Sequence, residues 1–127
     1  MIDINRDIIQ TLLEKWGSGA IDERAVHEAA ERLWDQFEEW PSFPEHLPES
    51  IAIEVLSHLE ILNHQLITRE DIPAMLAFLD TPPGKELQGW EAWRRYWDEL
   101  DFKSRQEALK RNPYYSTSLD FRPQQEV

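Results

Sequence analysis

The four histidines are the residues best suited to metal or proton chemistry, and their spacing limits what they can do. Two metal ligands on one helix stand three or four residues apart. His58 and His64 are six apart and do not share a face, and the chain contains no HExxH. Glu60 with His64, and His27 with Glu23 or Glu31, each supply two ligands and need a third from elsewhere. A glutamate and a histidine at this spacing ordinarily form an ion pair or hydrogen bond on a helix surface. No metal and no other cofactor is predicted.

Nucleophiles and acid–base pairs fare similarly. The seven serines stand outside any GxSxG context. With 25 acidic residues, close carboxylate pairs arise by number alone. A catalytic acid needs a desolvated pocket to raise its pKa, and these acids lie on polar helix faces by pattern, with Glu54 the ambiguous case. The absence of cysteine excludes disulfides, thiolate metal sites and thiol catalysis. There is no GxxxxGK[ST] or GxGxxG to cradle a phosphate. No catalytic residue is assigned.

The elements that would position a site are helices. Ile4, Ile8, Ile9, Leu12, Leu13 and Trp16 recur at three- and four-residue steps, and Gly17 and Gly19 end that helix. A second helix is predicted from Asp22, its N-cap, to Glu39, on the stripe Val26, Ala29, Ala30, Leu33, Phe37 and Trp40. Ile21 is placed to staple its entry turn. Three prolines make residues 41–50 a loop. Ser50 is the expected cap of a third helix, built on Ile51, Val55, Leu56, Leu59 and Leu62 and predicted to be the most buried. Thr68 and Asp71 have capping-box spacing before a short helix through Ile72, Met75, Leu76 and Leu79, with Pro73 in its first turn. The segment TPPGKELQGW breaks the chain again. Trp90, Trp93, Trp97 and Leu100 then form a stripe, read as core with an indole interface as the alternative. Asp101 or Ser104 starts a last helix that Asn112-Pro113 ends. No run alternates long enough to predict a strand.

The predicted fold is therefore all-α: one compact domain over residues 1–111, with five or six short helices in an orthogonal or irregular bundle, and an irregular tail over 112–127. A length of 127 residues suits one domain. The N-terminal segment has acids and no uninterrupted apolar run, so it does not read as a secretory signal. No stretch approaches a membrane span. Cytoplasmic location is the expectation.

Charge is the least even feature. The formal net charge is −12. Residues 1–80 hold 17 acids against 5 bases, while residues 81–127 hold 8 of each. Residues 21–60 are densest, with 11 acids against Arg24 and Arg32. Such a balance opposes nucleic acids and anionic membranes, although Lys103, Arg105, Lys110, Arg111 and Arg122 with Tyr114 and Tyr115 make the C-terminal end locally basic. A solvated face explains part of the acidity. The remainder suits a basic protein partner, with electrostatic steering as the benefit. The expected contacts are Glu28, Glu31, Asp35, Glu38, Glu39, Trp40 and Glu45, with Trp40 as the aromatic anchor.

The run Gly19-x-Ile21-x4-Val26-x3-Ala30, followed by a Pro-rich loop, an apolar helix holding Val55 and Leu59, and a short helix capped by Asp71 and holding Leu79, resembles small acidic helical bacterial proteins. Several of these are thought to be immunity partners of secreted toxins. The resemblance covers about residues 8–80 and rests on core and capping positions, so it implies a fold more than a site. The reading it favours is a non-enzymatic immunity or inhibitor protein that neutralises a basic partner such as a nuclease toxin. One alternative is a self-assembling or adaptor protein that uses the Trp-rich helix, forming a homo-oligomer. A second alternative is a small enzyme of unknown class.

Overall fold

The computed structural model describes residues 6–36, 48–112 and 114–115. Among them the chain forms α1 (Arg6–Gly17), α2 (Glu23–Trp34), α3 (Pro48–Glu60), α4 (Leu62–Gln65), α5 (Ile72–Leu79), α6 (Glu86–Glu99) and α7 (Phe102–Leu109). A single 3-10 turn, Arg69–Asp71, leads into α5. No strand occurs among the described residues, and the architecture is an all-α single domain.

α3 is the hub, packing against α1, α2, α4 and α5. Its Val55, Leu56 and Leu59 are fully buried, and Ile51 and Ala52 nearly so. Around it the amphipathic helices turn in their apolar stripes: Ile9, Leu13 and Trp16 from α1, Val26 and Ala30 from α2, and Met75, Phe78 and Leu79 from α5. α6 lies on α5, where Phe78 stacks on Trp93 at 4.5 Å between ring centroids and meets Trp90 edge-on at 5.1 Å. Trp90 and Trp93 are thus core residues. Trp97 is half-buried and packs against the same core.

Local signals account for most boundaries. The Asp22 side chain accepts from the Ala25 amide at 2.9 Å and caps α2, and Ile21 packs on the core beside it. After α1, Gly19 adopts φ +85°, a left-handed turn residue that a side chain would strain. The Thr68 hydroxyl accepts from the Glu70 amide while Asp71 Oδ2 accepts from the Thr68 amide at 2.9 Å, so the capping box is real. Pro73 sits in the first turn of α5. Asp101 is the N-cap of α7, its Oδ1 accepting from the Ser104 amide.

Four expectations need correction. α2 ends at Trp34, with Asp35 as its C-cap, five residues before Glu39; Phe37, Glu38 and Glu39 lie outside the described residues. α3 starts at Pro48, which tolerates a first helical position because that turn has no intrahelical use for its missing N–H. Ser50 consequently lies within the first turn and is not a cap. α6 starts at Glu86, so only the first half of TPPGKELQGW is a break. Helix runs through Gly89 because Thr81 fills the space of its missing side chain: a Cβ there would stand 2.8 Å from Thr81 Cγ2. Finally, packing continues past residue 111. Tyr115 is 1% exposed and its hydroxyl donates to the Ile67 carbonyl.

Candidate binding surface

Of the seven expected contact residues, three fall within the described chain. Glu28, Glu31 and Asp35 are all exposed on α2. The helical repeat brings them to one side, opposite the buried Val26 and Ala30. Glu38, Glu39, Trp40 and Glu45 lie outside the described residues.

The structure adds Glu60, which sequence reading considered only as a partner of His64. α2 packs on α3, and this brings the last residue of α3 beside the α2 acids. Partial burial, then the charge of Glu31, and then that of Asp35 push the Glu60 carboxyl above its ordinary value; His27 pulls the other way without reversing the shift. The charges of Glu31 and Asp35 thus reach the Glu60 carboxyl. Two of them also occupy adverse positions. Asp35 caps the C-terminal end of α2 and Glu60 closes α3, where the helix dipole already places negative charge. The position of Glu60 in its helix was visible in the sequence. Its proximity to α2 was not, because it depends on how α2 and α3 pack against each other.

His27 fastens this corner together. Its Nε2 lies 2.8 Å from the Glu60 carbonyl, which can only accept, so in the neutral ring Nε2 carries the proton and donates. Nδ1 then accepts from the Tyr114 hydroxyl. Of the two partners expected for His27, Glu31 is adjacent at 3.9 Å. Glu23 instead accepts from Trp16 Nε1 at 3.4 Å. The Arg24 guanidinium lies over the Tyr114 ring at 5.2 Å, and it forms no ion pair with a described acid. Among the described residues, then, no lysine or arginine is bonded to the acidic side of α2.

Two further polar clusters lie inside the bundle. Asp71 is 0% exposed. Arg105 Nη1 donates to its Oδ2 at 2.6 Å and to the Leu66 carbonyl at 3.1 Å, and Tyr96 donates to its Oδ1. Burial draws the Arg105 guanidinium down, but Asp71 more than offsets this, and its pKa ends above the usual value. The network ties the turn before α5 to α6 and α7. The second cluster is the ambiguous Glu54. Trp93 Nε1 donates to its Oε2 at 2.9 Å and His58 Nε2 lies 3.1 Å away. Burial raises this carboxyl, the bonds from His58 and Trp93 lower it more, and the net shift is downward. His58 stacks on Trp97 at 5.1 Å and meets Trp93 edge-on at 5.2 Å. Two indoles and the single carboxylate of Glu54 surround the histidine, and no group of three metal-ligating side chains converges among the described residues. Both clusters join helices through one carboxyl acceptor each.

No helix is long and apolar enough to cross a membrane among the described residues. No family model, curated protein or solved structure matches the chain.

Proposed function

We propose that this chain is a non-enzymatic protein-binding module, an immunity or inhibitor protein of the bacterial cytoplasm that holds a basic partner such as a nuclease toxin against the acidic side of α2. The observation that carries the reading is the exposed row of Glu28, Glu31 and Asp35 with Glu60 beside it, whose carboxyl is pushed up first by burial and then by the charges of Glu31 and Asp35. Acids at the C-terminal ends of two helices each cost about 0.3–1 kcal/mol. Solubility does not require these positions, since the chain carries 25 acids in all. A positively charged cleft shaped for nucleic acid supplies the missing cations, and covering it is inhibition. Long-range steering speeds the encounter, and the charge pairs desolvated at the centre hold the complex.

The test is a charge reversal. The partner is isolated from the native cell on the immobilised protein and its affinity is measured for the wild type and for a Glu28→Lys, Glu31→Lys, Asp35→Lys variant, at low and physiological salt. We expect the variant to bind at least about a hundredfold more weakly, at the scale of 2–5 kcal/mol for truncating central charge pairs, and wild-type binding to weaken as salt rises. Unchanged affinity in the variant sinks the proposal.

A further inference from the structure

The other flank of α2 carries a surface of different character. α1 and α2 pack together and leave an open groove of about 560 Å³ between them, within the ~300–1,000 Å³ of ligand clefts. Its floor is apolar. Ile8 and Leu12 come from α1, and Ala29 and Leu33 come from α2. The groove also has a charge signature at odds with its surroundings. Lys15 stands in the last turn of α1 and Arg32 in the last turn of α2, and both line it. These are two of only five bases in residues 1–80. Neither forms an ion pair with a described residue, in a protein with twelve more acids than bases. One acid, Asp7, lines the groove with them. In a chain this acidic, two exposed cations without an acidic partner among the described residues, beside an apolar floor, contrast with the acidic side of α2.

We propose that this groove is a second docking surface, and that its occupant is an amphipathic helix of a partner protein with an apolar stripe and acidic residues on that stripe's margins. A channel between two packed helices can seat a third helix, whose side chains at i, i+3, i+4 and i+7 descend between Leu12 and Leu33. Lys15 and Arg32 then pair with its flanking carboxylates. Arg32 stands four residues from Glu28 and three from Asp35 on the same helix, so those acids weaken its pull, and the attraction rests more on Lys15 and on the apolar floor. The proposal does not depend on a basic partner engaging Glu31 and Asp35.

The experiment uses the full chain and two synthetic helical peptides of identical apolar pattern, one with glutamates and the other with lysines beside the stripe. Binding is followed by fluorescence anisotropy and located by amide NMR shifts. The glutamate peptide is expected to bind at least tenfold more tightly, with shifts centred on Leu12, Lys15, Ala29 and Leu33. A Lys15→Glu, Arg32→Glu variant, altered only at exposed positions, is expected to invert that preference. Equal affinity for the two peptides, no inversion in the variant, or shifts centred outside the groove overturns the proposal. So does binding of dodecanoate without either peptide, which would make the groove an acyl-chain site. Absence of peptide binding, with contacts from the Leu12 and Leu33 methyls to the chain's own Trp40 or Phe43, overturns it as well.

Discussion

Asp71 shows how one side chain can hold several elements. Its two oxygens accept from the Thr68 amide, Arg105 and Tyr96, so a carboxylate taken fully out of water finds donors from its own turn, α6 and α7. Replacing Arg105 with Met leaves that charge buried without its cation, a loss of about 3–5 kcal/mol against the ~5–15 kcal/mol of a whole domain. The Asp71→Asn, Arg105→Met double variant is expected to lose clearly less than the two single variants added together. Urea unfolding midpoints measure this, and additive losses would mean the pair is not coupled. Tyr96 reports on the same network from its other side. Burial, then its bond to Asp71 and then the Asp71 charge push its phenol up from 10.0 to about 12. A raised phenol pKa means that the native state holds the proton more tightly than the unfolded chain. The stabilisation is complete below pH 10 and is lost as pH rises toward 12. Tyr96→Phe is expected to flatten the fall in stability over that window, measured as urea midpoints against pH. An unchanged slope would assign the alkaline loss to other groups.

At the scale of elements, close approach matters as much as propensity. Glycine is a poor helix former, yet Gly89 lies inside α6 because the Thr81 side chain occupies the volume of its missing Cβ. Thr81 is itself buried, with its hydroxyl donating to the Phe78 carbonyl at 2.6 Å, so it has little freedom to withdraw. Alanine normally gains up to ~1 kcal/mol over glycine in a helix. Here Gly89→Ala is expected to destabilise by about 1–3 kcal/mol, the range for overpacking, and Gly89→Ala with Thr81→Ala, which removes both the Oγ1 and the Cγ2 that the new Cβ would meet, to recover part of that. Thermal unfolding of the two variants tests it, and a stabilised Gly89→Ala would show that α5 and α6 can separate without cost. The same distinction explains what the sequence revealed. Helix stripes, the Asp22 and Asp101 caps and the Thr68–Asp71 box are local patterns and were legible. The partners of Asp71 and Glu54 were not, because Arg105 and Trp93 reach them from 34 and 39 residues away. Tyr115 was missed for the same reason: the Ile67 carbonyl that its hydroxyl meets lies 48 residues earlier. The acidic side of α2 was legible through Glu28, Glu31 and Asp35, whereas Glu60 joins it only through the packing of α2 on α3.

Across the whole molecule, charge works against compactness. Residues 21–60 carry 11 acids and two arginines, and folding brings Glu31, Asp35 and Glu60 within one another's field, whereas the unfolded chain holds them apart. If these acids serve a partner, the free protein bears a stability cost that the complex removes. Neutral isosteres separate that cost from changes of shape. Glu31→Gln with Asp35→Asn is expected to stabilise the free protein by about 1 kcal/mol, the sum of a helix-end term of ~0.3–1 kcal/mol and the relieved repulsion. That corresponds to roughly 2–8 °C in Tm for domains in this size range. The gain should be largest at low ionic strength and shrink as salt screens the wild-type repulsion, while affinity for the basic partner falls. Thermal melts of both proteins across a salt series, beside binding measurements on the same samples, read the two effects together. A lower Tm in the neutral variant would mean that Glu31 and Asp35 support the fold, and the argument that they are held in reserve for a partner would then lose its basis. A higher Tm accompanied by weaker binding places stability and function in opposition at the same two residues, as expected of a surface whose cations belong to another protein.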